Sequence, residues 1–198
     1  MKIIANIVIV IGLSAFIYAV WPDSLIKQAP GVLVPDIPIQ INLKVNDGVL
    51  IENYLVSKLA EFKLNAKVLS KEYYYFDRGS VVSPLDLALG WGPMSDQTIV
   101  DKIDISQSGR WYYWSANPLP IAGNVISDNS ANMHIIPADG YVADQLDETI
   151  VGQIINLNGY LVKVIGPDGF VWQSSLTRTD RGNGACELFY VTSVSLVQ

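Results

Sequence analysis

The chain contains one histidine, His134, and one cysteine, Cys186. A cysteine thiolate beside a histidine base is the nucleophilic pair of thiol hydrolases and transferases, and Asp180 or Glu187 offers a carboxylate that would orient the base. The sequence alone places none of these groups together, and a lone cysteine in a strand is usually a small apolar core residue. We therefore assign no catalytic residue and keep Cys186, His134 and Asp180 as an alternative site.

Four arginines lie in loops rich in glycine or aspartate: Arg78, Arg110, Arg178 and Arg181. A guanidinium binds a carboxylate through two parallel hydrogen bonds, so pairs such as Arg110 with Asp77 or Arg178 with Asp180 would lock these loops. The alternative is that Arg178 and Arg181 bind a carboxylate or phosphate of a ligand. We favour loop locking because acidic residues are plentiful nearby, and we expect Asp180 to be held inside its loop with Arg181 pointing outward.

The sequence offers no spaced set of metal ligands, because it holds one histidine, one cysteine and scattered acids. A calcium site is also disfavoured, since no calcium-loop pattern connects the candidate carboxylates: Asp77, Asp86, Asp96, Asp101 and Asp104. We expect neither a metal nor a cofactor.

Aromatic residues are concentrated between Tyr73 and Trp114, which hold three of the five Trp and five of the ten Tyr. In a strand, Trp111 and Tyr113 would face one side and Tyr112 and Trp114 the other. One pair should enter the core, and an uncovered pair would bind a protein, a glycan or a lipid headgroup region. The candidate ligand- or partner-binding residues are Arg178, Arg181, Trp111, Trp114 and Tyr74.

This aromatic stretch predicts a connection between two β-rich halves, with two short helices inside it. Ser83 would cap the first helix, which Gly90 ends, and Ser95 would cap the second, which runs to Ile103.

Patterns of apolar residues predict strands on both sides of this connection. Before it, Asn46-Asp47-Gly48 indicates a tight turn between strands at 39–45 and 49–56. Residues 61–70 alternate, with Phe62, Leu64, Ala66 and Val68 facing inward and Lys63, Asn65 and Lys67 facing solvent. After it, we expect a bend at Gly159, a helix at 139–150, and strands at 109–115, 130–137, 153–165, 170–176 and 186–194.

These elements predict an α+β domain that is mainly antiparallel β. The long bent strand, the hairpin and the glycine-rich loop suit a small barrel of the OB or SH3-like kind in the C-terminal half. A flat sandwich is the alternative.

Residues 3–20 form an uncharged apolar run of 18 residues, about 27 Å long as a helix, near the lower limit for spanning a bilayer. Lys2 and the amino terminus predict that the N-terminus stays in the cytoplasm, and Trp21 suits the membrane interface. We prefer an uncleaved transmembrane signal anchor at 1–21 to a cleaved signal peptide, whose apolar region would be shorter and end in a small-x-small site.

A proline-rich linker at 22–38 would follow the anchor, with Val32, Leu33 and Val34 docking on a single β-rich extracytoplasmic domain at 39–198. Without residues 1–20 the chain carries 12 basic and 19 acidic residues, a net charge of −7. This balance disfavours nucleic acid and anionic lipid as partners. A single cysteine leaves no internal disulfide to form.

Six stretches resemble an uncharacterised family of small bacterial proteins: YYYFDRG, SPLDLALGWGPMSD, DISQSGRWYYW, SANMHIIPAD, NGYLV and SSLTRTDRGNGACEL. The resemblance extends from about Gly31 to Val191 and implies an exported or membrane-anchored bacterial protein. It implies no established activity and transfers no catalytic residues.

We therefore expect a non-catalytic binding or assembly protein in the bacterial inner membrane, inserted by residues 3–20, with its C-terminal domain in the periplasm. Its partner would be an envelope protein or a glycan. The alternatives are a cell-envelope thiol hydrolase or transferase that uses Cys186 and His134, and a sensor of small anionic ligands.

Overall fold

The computed structural model describes residues 25–44, 47–177 and 186–197. The strands and α-helices within these ranges are β1 (Ile39–Asn42), β2 (Gly48–Ile51), β3 (Tyr54–Tyr73), β4 (Leu85–Gly90), α1 (Gln97–Val100), β5 (Asp104–Ser108), β6 (Trp111–Ser115), α2 (Gly123–Asp128), β7 (Ser130–Pro137), α3 (Gly140–Asp147), β8 (Ile154–Ile165), β9 (Val171–Gln173) and β10 (Glu187–Leu196). The predicted α+β class, mainly antiparallel β, is confirmed.

Five of the strands form a closed circuit of pairings. β3 pairs with β4, β4 with β7, β7 with β10, β10 with β8, and β8 again with β3. Every pair in the circuit is antiparallel except β7 with β10, which is parallel. Because β3 and β4 belong to it, the circuit extends beyond the C-terminal half of the chain, where the sequence predicted a barrel.

The remaining strands extend or cover this circuit. β1 and β2 pair with β3, and β9 pairs with β8. β5 and β6 form a separate antiparallel hairpin. This hairpin packs Tyr112 and Trp114 against Ala88 of β4 and its neighbours, so it covers the face of β4 that points away from the main core.

Alternating side chains of the circuit build the main core. Phe62, Leu64, Ala66 and Val68 of β3 are all buried, which confirms the predicted inward face. They cluster with Leu85, Leu87 and Leu89 of β4 and with Met133 and Ile135 of β7. The outward face was predicted correctly for Lys63 and Asn65 but wrongly for Lys67, which is 1% exposed.

The helix predicted from Ser83 to Gly90 is wrong, because residues 85–90 form β4, in which every residue is buried. A strand buried on both faces shows no alternation, and pairing with β3 and β7 overrides the helix-start signal of Ser83-Pro84. The second predicted helix is present as α1, but it is shorter than predicted and its N-cap is Asp96 rather than Ser95; a 3-10 turn, Gly92–Ser95, precedes it.

The hairpin predicted around Asn46-Asp47-Gly48 is also wrong. β1 pairs with β3 instead of β2, and β2 reaches β3 through a two-residue turn at Glu52 and Asn53. Val45 and Asn46 lie outside the described residues. By contrast, the predicted strand 130–137 is confirmed as β7, and α3, β8 and β10 lie within about three residues of their predicted ranges.

The predicted bend at Gly159 coincides with an irregularity between β8 and β10. The register shifts next to the pair of Val191 with Gly159. A Cβ at Gly159 would lie 2.0 Å from the carbonyl oxygen of Tyr190, so only glycine permits this close approach.

The described part of the proline-rich linker lies on the domain. Leu33 N and Val34 N donate to Ser95 Oγ, and Gly92 N donates to Val34 O. Val34 is buried as predicted, whereas Val32 and Leu33 stay exposed. Within the described ranges, no helix has the length and apolar character that a bilayer crossing requires; the anchor predicted at 1–21 lies outside those ranges.

Candidate functional site

The loop between β3 and β4, residues 74–84, carries the most exposed aromatic side chains of the described structure. Phe76 is 100% exposed and Tyr75 is 71% exposed. The Tyr75 ring lies 6.3 Å, centroid to centroid, from both Tyr73 and Phe76. We call residues 74–84 the aromatic loop.

Asp77 determines the backbone shape of the aromatic loop. Its Oδ1 accepts hydrogen bonds from Gly79 N (2.8 Å) and Ser80 N (2.9 Å), which is the pattern of an aspartate-stabilised turn. Ser80 Oγ in turn donates to Asp77 O (2.7 Å). The loop that presents Phe76 is therefore held by its own polar groups.

Arg110 connects this loop to the rest of the molecule. Its Nε and Nη2 donate to the two oxygens of Asp77 (2.9 and 3.0 Å), while Nη1 donates to Asp86 Oδ1 (2.7 Å). The guanidinium also lies 3.9 Å from the centre of the Tyr74 ring. The predicted pairing of Arg110 with Asp77 is thus confirmed, and all three guanidinium nitrogens are engaged within the protein.

The backbone at Arg110 is in an uncommon conformation. Gly109 and Arg110 form the two-residue turn between β5 and β6, with φ of 57° and 71°. This turn type matches the twist of a hairpin, but a non-glycine residue in the left-handed region costs about 1 kcal/mol or more. The two carboxylates that Arg110 binds help to offset this strain.

Asp86 and His134 extend the network inward. They are register partners on β4 and β7, and both side chains are buried. His134 Nδ1 lies 2.9 Å from Asp86 Oδ2, yet it has no aligned hydrogen-bond partner among the described residues. The His134 ring also packs on Trp172, with centroids 4.7 Å apart.

Amide side chains complete the network. Asn132 Nδ2 donates to Asp86 Oδ2 (3.3 Å) and to Arg110 O (3.1 Å), and Gln107 Nε2 donates to Asn132 Oδ1 (2.6 Å). The Asp77–Arg110–Asp86 group and its neighbours His134, Asn132 and Gln107 form what we call the clasp. It joins the aromatic loop, the β5–β6 hairpin, β4 and β7.

The pKa shifts of Asp77 and Tyr74 are those expected of residues that hold the clasp together. Burial raises the pKa of Asp77, but the hydrogen bonds and charge of Arg110 and the N–H groups of Gly79 and Ser80 outweigh burial, so this pKa lies below its ordinary value. Burial raises the pKa of the Tyr74 hydroxyl, which accepts a hydrogen bond from Arg110 N (3.0 Å). Asp77 is thus ionised, and Tyr74 neutral, at neutral pH.

Two aromatic residues of β6 also face solvent. Trp111 is 38% exposed and Tyr113 is 52% exposed, whereas Tyr112 and Trp114 pack inward on the hairpin's core cluster. The predicted division of these four residues between two faces is confirmed. Of the candidate binding residues, Trp111 faces solvent, Trp114 is half-buried, and Tyr74 belongs to the clasp.

The candidate catalytic residues do not come into direct register. Leu188 of β10 is the register partner of His134. Cys186 precedes Leu188 by two residues, a separation of roughly 6.6 Å for an extended chain. Cys186 forms no disulfide, and His134 contacts Asp86 and Trp172. Arg178, Asp180 and Arg181 lie outside the described residues, so the thiol site and the anion site stay predictions.

Sequence reasoning missed Trp172, and it considered Asp86 only as one of several scattered calcium ligands. An aspartate among leucines in β4 signals a buried charge that needs a partner, but only once residues 85–90 are known to be a strand. Within the described ranges, no group of three or more histidine, cysteine or acidic residues is arranged to hold a metal ion.

Comparisons of the chain with protein-family models, with curated proteins and with solved structures found no match.

Proposed function

We propose that the chain is a membrane-anchored, periplasm-facing binding or assembly protein without catalytic activity. Its contact surface is the aromatic patch, defined as Tyr75 and Phe76 of the aromatic loop with Trp111 and Tyr113 of β6. The observation that carries this proposal is the complete exposure of Phe76 on a loop whose backbone the clasp holds in place.

An exposed phenyl ring on an ordered loop contributes more to partner binding than to the stability of the fold. Apolar area left in water contributes nothing to the stability of the domain, while aromatic side chains dominate the energetics of interfaces. A loop that is ordered before its partner arrives loses little further conformational entropy on association. The clasp therefore supports recognition indirectly, by keeping the patch in one arrangement.

The strand topology supports the same surface by analogy. We propose that the circuit β3–β4–β7–β10–β8 is a five-stranded barrel of the OB kind, in which the loops after the first and fourth strands commonly form the binding surface. The aromatic loop follows the first strand of the circuit, and the segment that contains Arg178 and Arg181 lies between the fourth and the fifth.

The partner is an envelope protein or a glycan strand. Both bind exposed aromatic side chains, through buried ring area or through stacking. The net charge of −7 without residues 1–20 disfavours nucleic acid, whose binding depends on phosphate neutralisation.

Site-specific photo-cross-linking in cells tests this proposal. A photoreactive phenylalanine analogue is placed at Phe76 in the full chain, with the same analogue at Tyr141 as a control, because Tyr141 is 70% exposed on α3 outside the aromatic patch. We expect a discrete protein or glycan adduct from position 76 and none from position 141. Identical adduct patterns, or no adduct together with a measurable turnover by the purified chain, would refute the proposal.

A further inference from the structure

Lys67 is buried although its position on β3 predicts exposure. Lys63 and Asn65 on the same face are exposed, whereas Lys67 is 1% exposed. Two segments cover it: α1, through Gln97, and the N-terminal strap, which we define as residues 25–34. The structure thus places an ammonium group beneath a cover supplied by distant parts of the chain.

The Lys67 ammonium has one hydrogen-bond acceptor among the described side chains. Its Nζ donates to Gln97 Oε1, and an ammonium has three donors. Among the described residues, the ion pairs of the molecule do not include Lys67. A buried cation without a paired anion is costly, and burial lowers the pKa of Lys67 despite the opposing charges of Asp101 and Asp96.

The two acids near Lys67 are engaged elsewhere. Asp96 Oδ1 accepts from Gly31 N (3.1 Å) and Thr98 N (2.8 Å). Asp101 Oδ1 accepts from Gln97 Nε2 (2.8 Å) and pairs with Lys27 Nζ (3.5 Å). The charge of Asp101 is therefore countered by Lys27 at the surface. Asp101 also lines a cavity beside Lys67.

A cavity of about 320 Å³ adjoins Lys67. Apart from Lys67, Gln97 and Asp101, its wall is mostly apolar, with side chains that include Leu25, Ile26, Val100, Ile103, Ile105 and Val151. A mostly apolar cavity of at least about 300 Å³ with a few convergent polar groups is the usual form of a small-molecule site.

We propose that this cavity binds small amphipathic monocarboxylates. Gln97 caps Lys67 in the described structure, where Lys67 is 1% exposed, so the ligand carboxylate displaces Gln97 Oε1 and pairs with Lys67 Nζ. It supplies the counter-ion that the described residues lack, while the alkyl chain lies against the apolar wall. This site is separate from the aromatic patch, so it does not depend on the proposed partner-binding function.

The strap forms the roof of this site. Ile26 N donates to Val151 O (2.9 Å), Gln28 Nε2 donates to Gly152 O (3.1 Å), and Gln28 N donates to Gln97 Oε1 (3.0 Å). The same amide oxygen thus accepts from both the strap and Lys67. Ligand binding at Lys67 and docking of the strap are therefore linked through Gln97.

Calorimetric titration of the full chain in phospholipid nanodiscs tests the proposal, with empty nanodiscs as the blank. The probes are butanoate, hexanoate and octanoate, with hexanol as an uncharged probe of matched length. We expect affinity to rise from butanoate to hexanoate, and hexanoate to bind about tenfold more tightly than hexanol, because only the carboxylate pairs with Lys67. Hexanoate affinity equal to or below that of hexanol would overturn the proposal, as would the lack of saturable binding by every carboxylate.

Two lysine variants localise the binding. Lys67→Met keeps the length of the side chain and removes its charge. We expect this variant to bind hexanoate about tenfold more weakly than the wild type, with an unchanged affinity for hexanol. Lys63→Met, at an exposed position of the same strand, should bind both probes as the wild type does. Unchanged hexanoate affinity in Lys67→Met would overturn the assignment, and the comparison of hexanoate with hexanol on the wild type stands even if that variant fails to fold.

Discussion

At the scale of single residues, Arg110 has the largest structural role in the candidate site. It adopts a strained left-handed backbone conformation, and its guanidinium neutralises two carboxylates, of which Asp86 is fully buried. A buried ion pair contributes little net stability when it is intact, but its disruption leaves an uncompensated charge. The clasp should therefore be far more sensitive to loss of one member than to its complete replacement.

Arg110→Ala should lower the free energy of unfolding by about 3–5 kcal/mol, because the buried Asp86 carboxylate loses the guanidinium that neutralises it and keeps only Asn132 and His134 as side-chain neighbours among the described residues. Urea unfolding of the full chain, followed by tryptophan fluorescence, measures this change. Arg78→Ala is the control, since Arg78 is exposed and its Nη2 donates to Pro167 O; its cost should be about 0.5–1 kcal/mol. Adding Asp86→Asn to Arg110→Ala should restore part of the loss, and a further loss would contradict this account.

Lys67 should make the stability of the protein depend on pH in the alkaline range. Burial lowers its pKa in the folded state below the ordinary value of 10.5, so between these two values the unfolded chain binds more protons than the folded one. Stability contributed by this group therefore rises with pH through that window and is lowest below it. Lys67→Met lacks this titration.

We expect Lys67→Met to be more stable than the wild type at neutral pH, and the difference to shrink as the pH approaches 10.5. Urea unfolding at a series of pH values measures this difference, with Lys63→Met as the control that should follow the wild type throughout. A constant difference across the series would show that Lys67 does not lose a proton on folding.

At the scale of elements, the N-terminal strap behaves as part of the domain instead of as a free spacer. Its passage over Gly152 requires that residue, because a Cβ there would lie 1.8 Å from Ile26 O and the backbone has a φ of +93°. Both features exclude larger residues for steric reasons. The proline-rich composition of the linker gave no indication of this close contact.

Gly152→Ala should displace the strap while leaving the strand circuit folded. We expect faster hydrogen exchange at Ile26 N and Gln28 N, which lose their acceptors, and unchanged exchange in β8 beyond its first residues. Gly140→Ala is the matched control, because a Cβ at Gly140 meets no atom within 4 Å. Unchanged protection of Ile26 N in Gly152→Ala would refute the steric argument.

At the scale of the whole molecule, the anchor predicted at residues 3–20 and the docked strap together would hold the domain close to the membrane. Only residues 21–25 lie between the apolar run and Ile26, whose N–H is bound to Val151 O. Five residues span at most about 18 Å when fully extended. If the anchor prediction holds, the domain has little freedom to move away from the bilayer.

Reporter fusions after Val20 test the predicted topology. Alkaline phosphatase fused there should be active, because it folds only outside the cytoplasm, and a fluorescent protein that matures only in the cytoplasm should stay dark. The same reporters placed directly after Met1 serve as a control and should give the reverse. A fluorescent fusion after Val20 would refute the periplasmic location.

The sequence by itself determined those features that depend on local periodicity. The inward face of residues 62–68, the strand at 130–137, the helix after Asp139 and the division of residues 111–114 between two faces all follow from alternation or capping. The pairing of Asp77 with Arg110 was also foreseeable, because guanidinium and carboxylate groups in neighbouring loops select each other.

Only the tertiary structure decided the rest, because burial by distant segments leaves no local pattern. The local sequence of residues 85–90 predicts a capped helix. In the structure these residues form a strand, because β3, β7 and the β5–β6 hairpin surround them and bury every residue. The alternating pattern of β3 predicts that Lys67 faces solvent, but the strap and α1 cover it in the structure. Asp86 lies beside His134 because β4 pairs with β7, and beside Arg110 because of the two-residue turn between β5 and β6. These contacts join residues up to 48 positions apart in the chain.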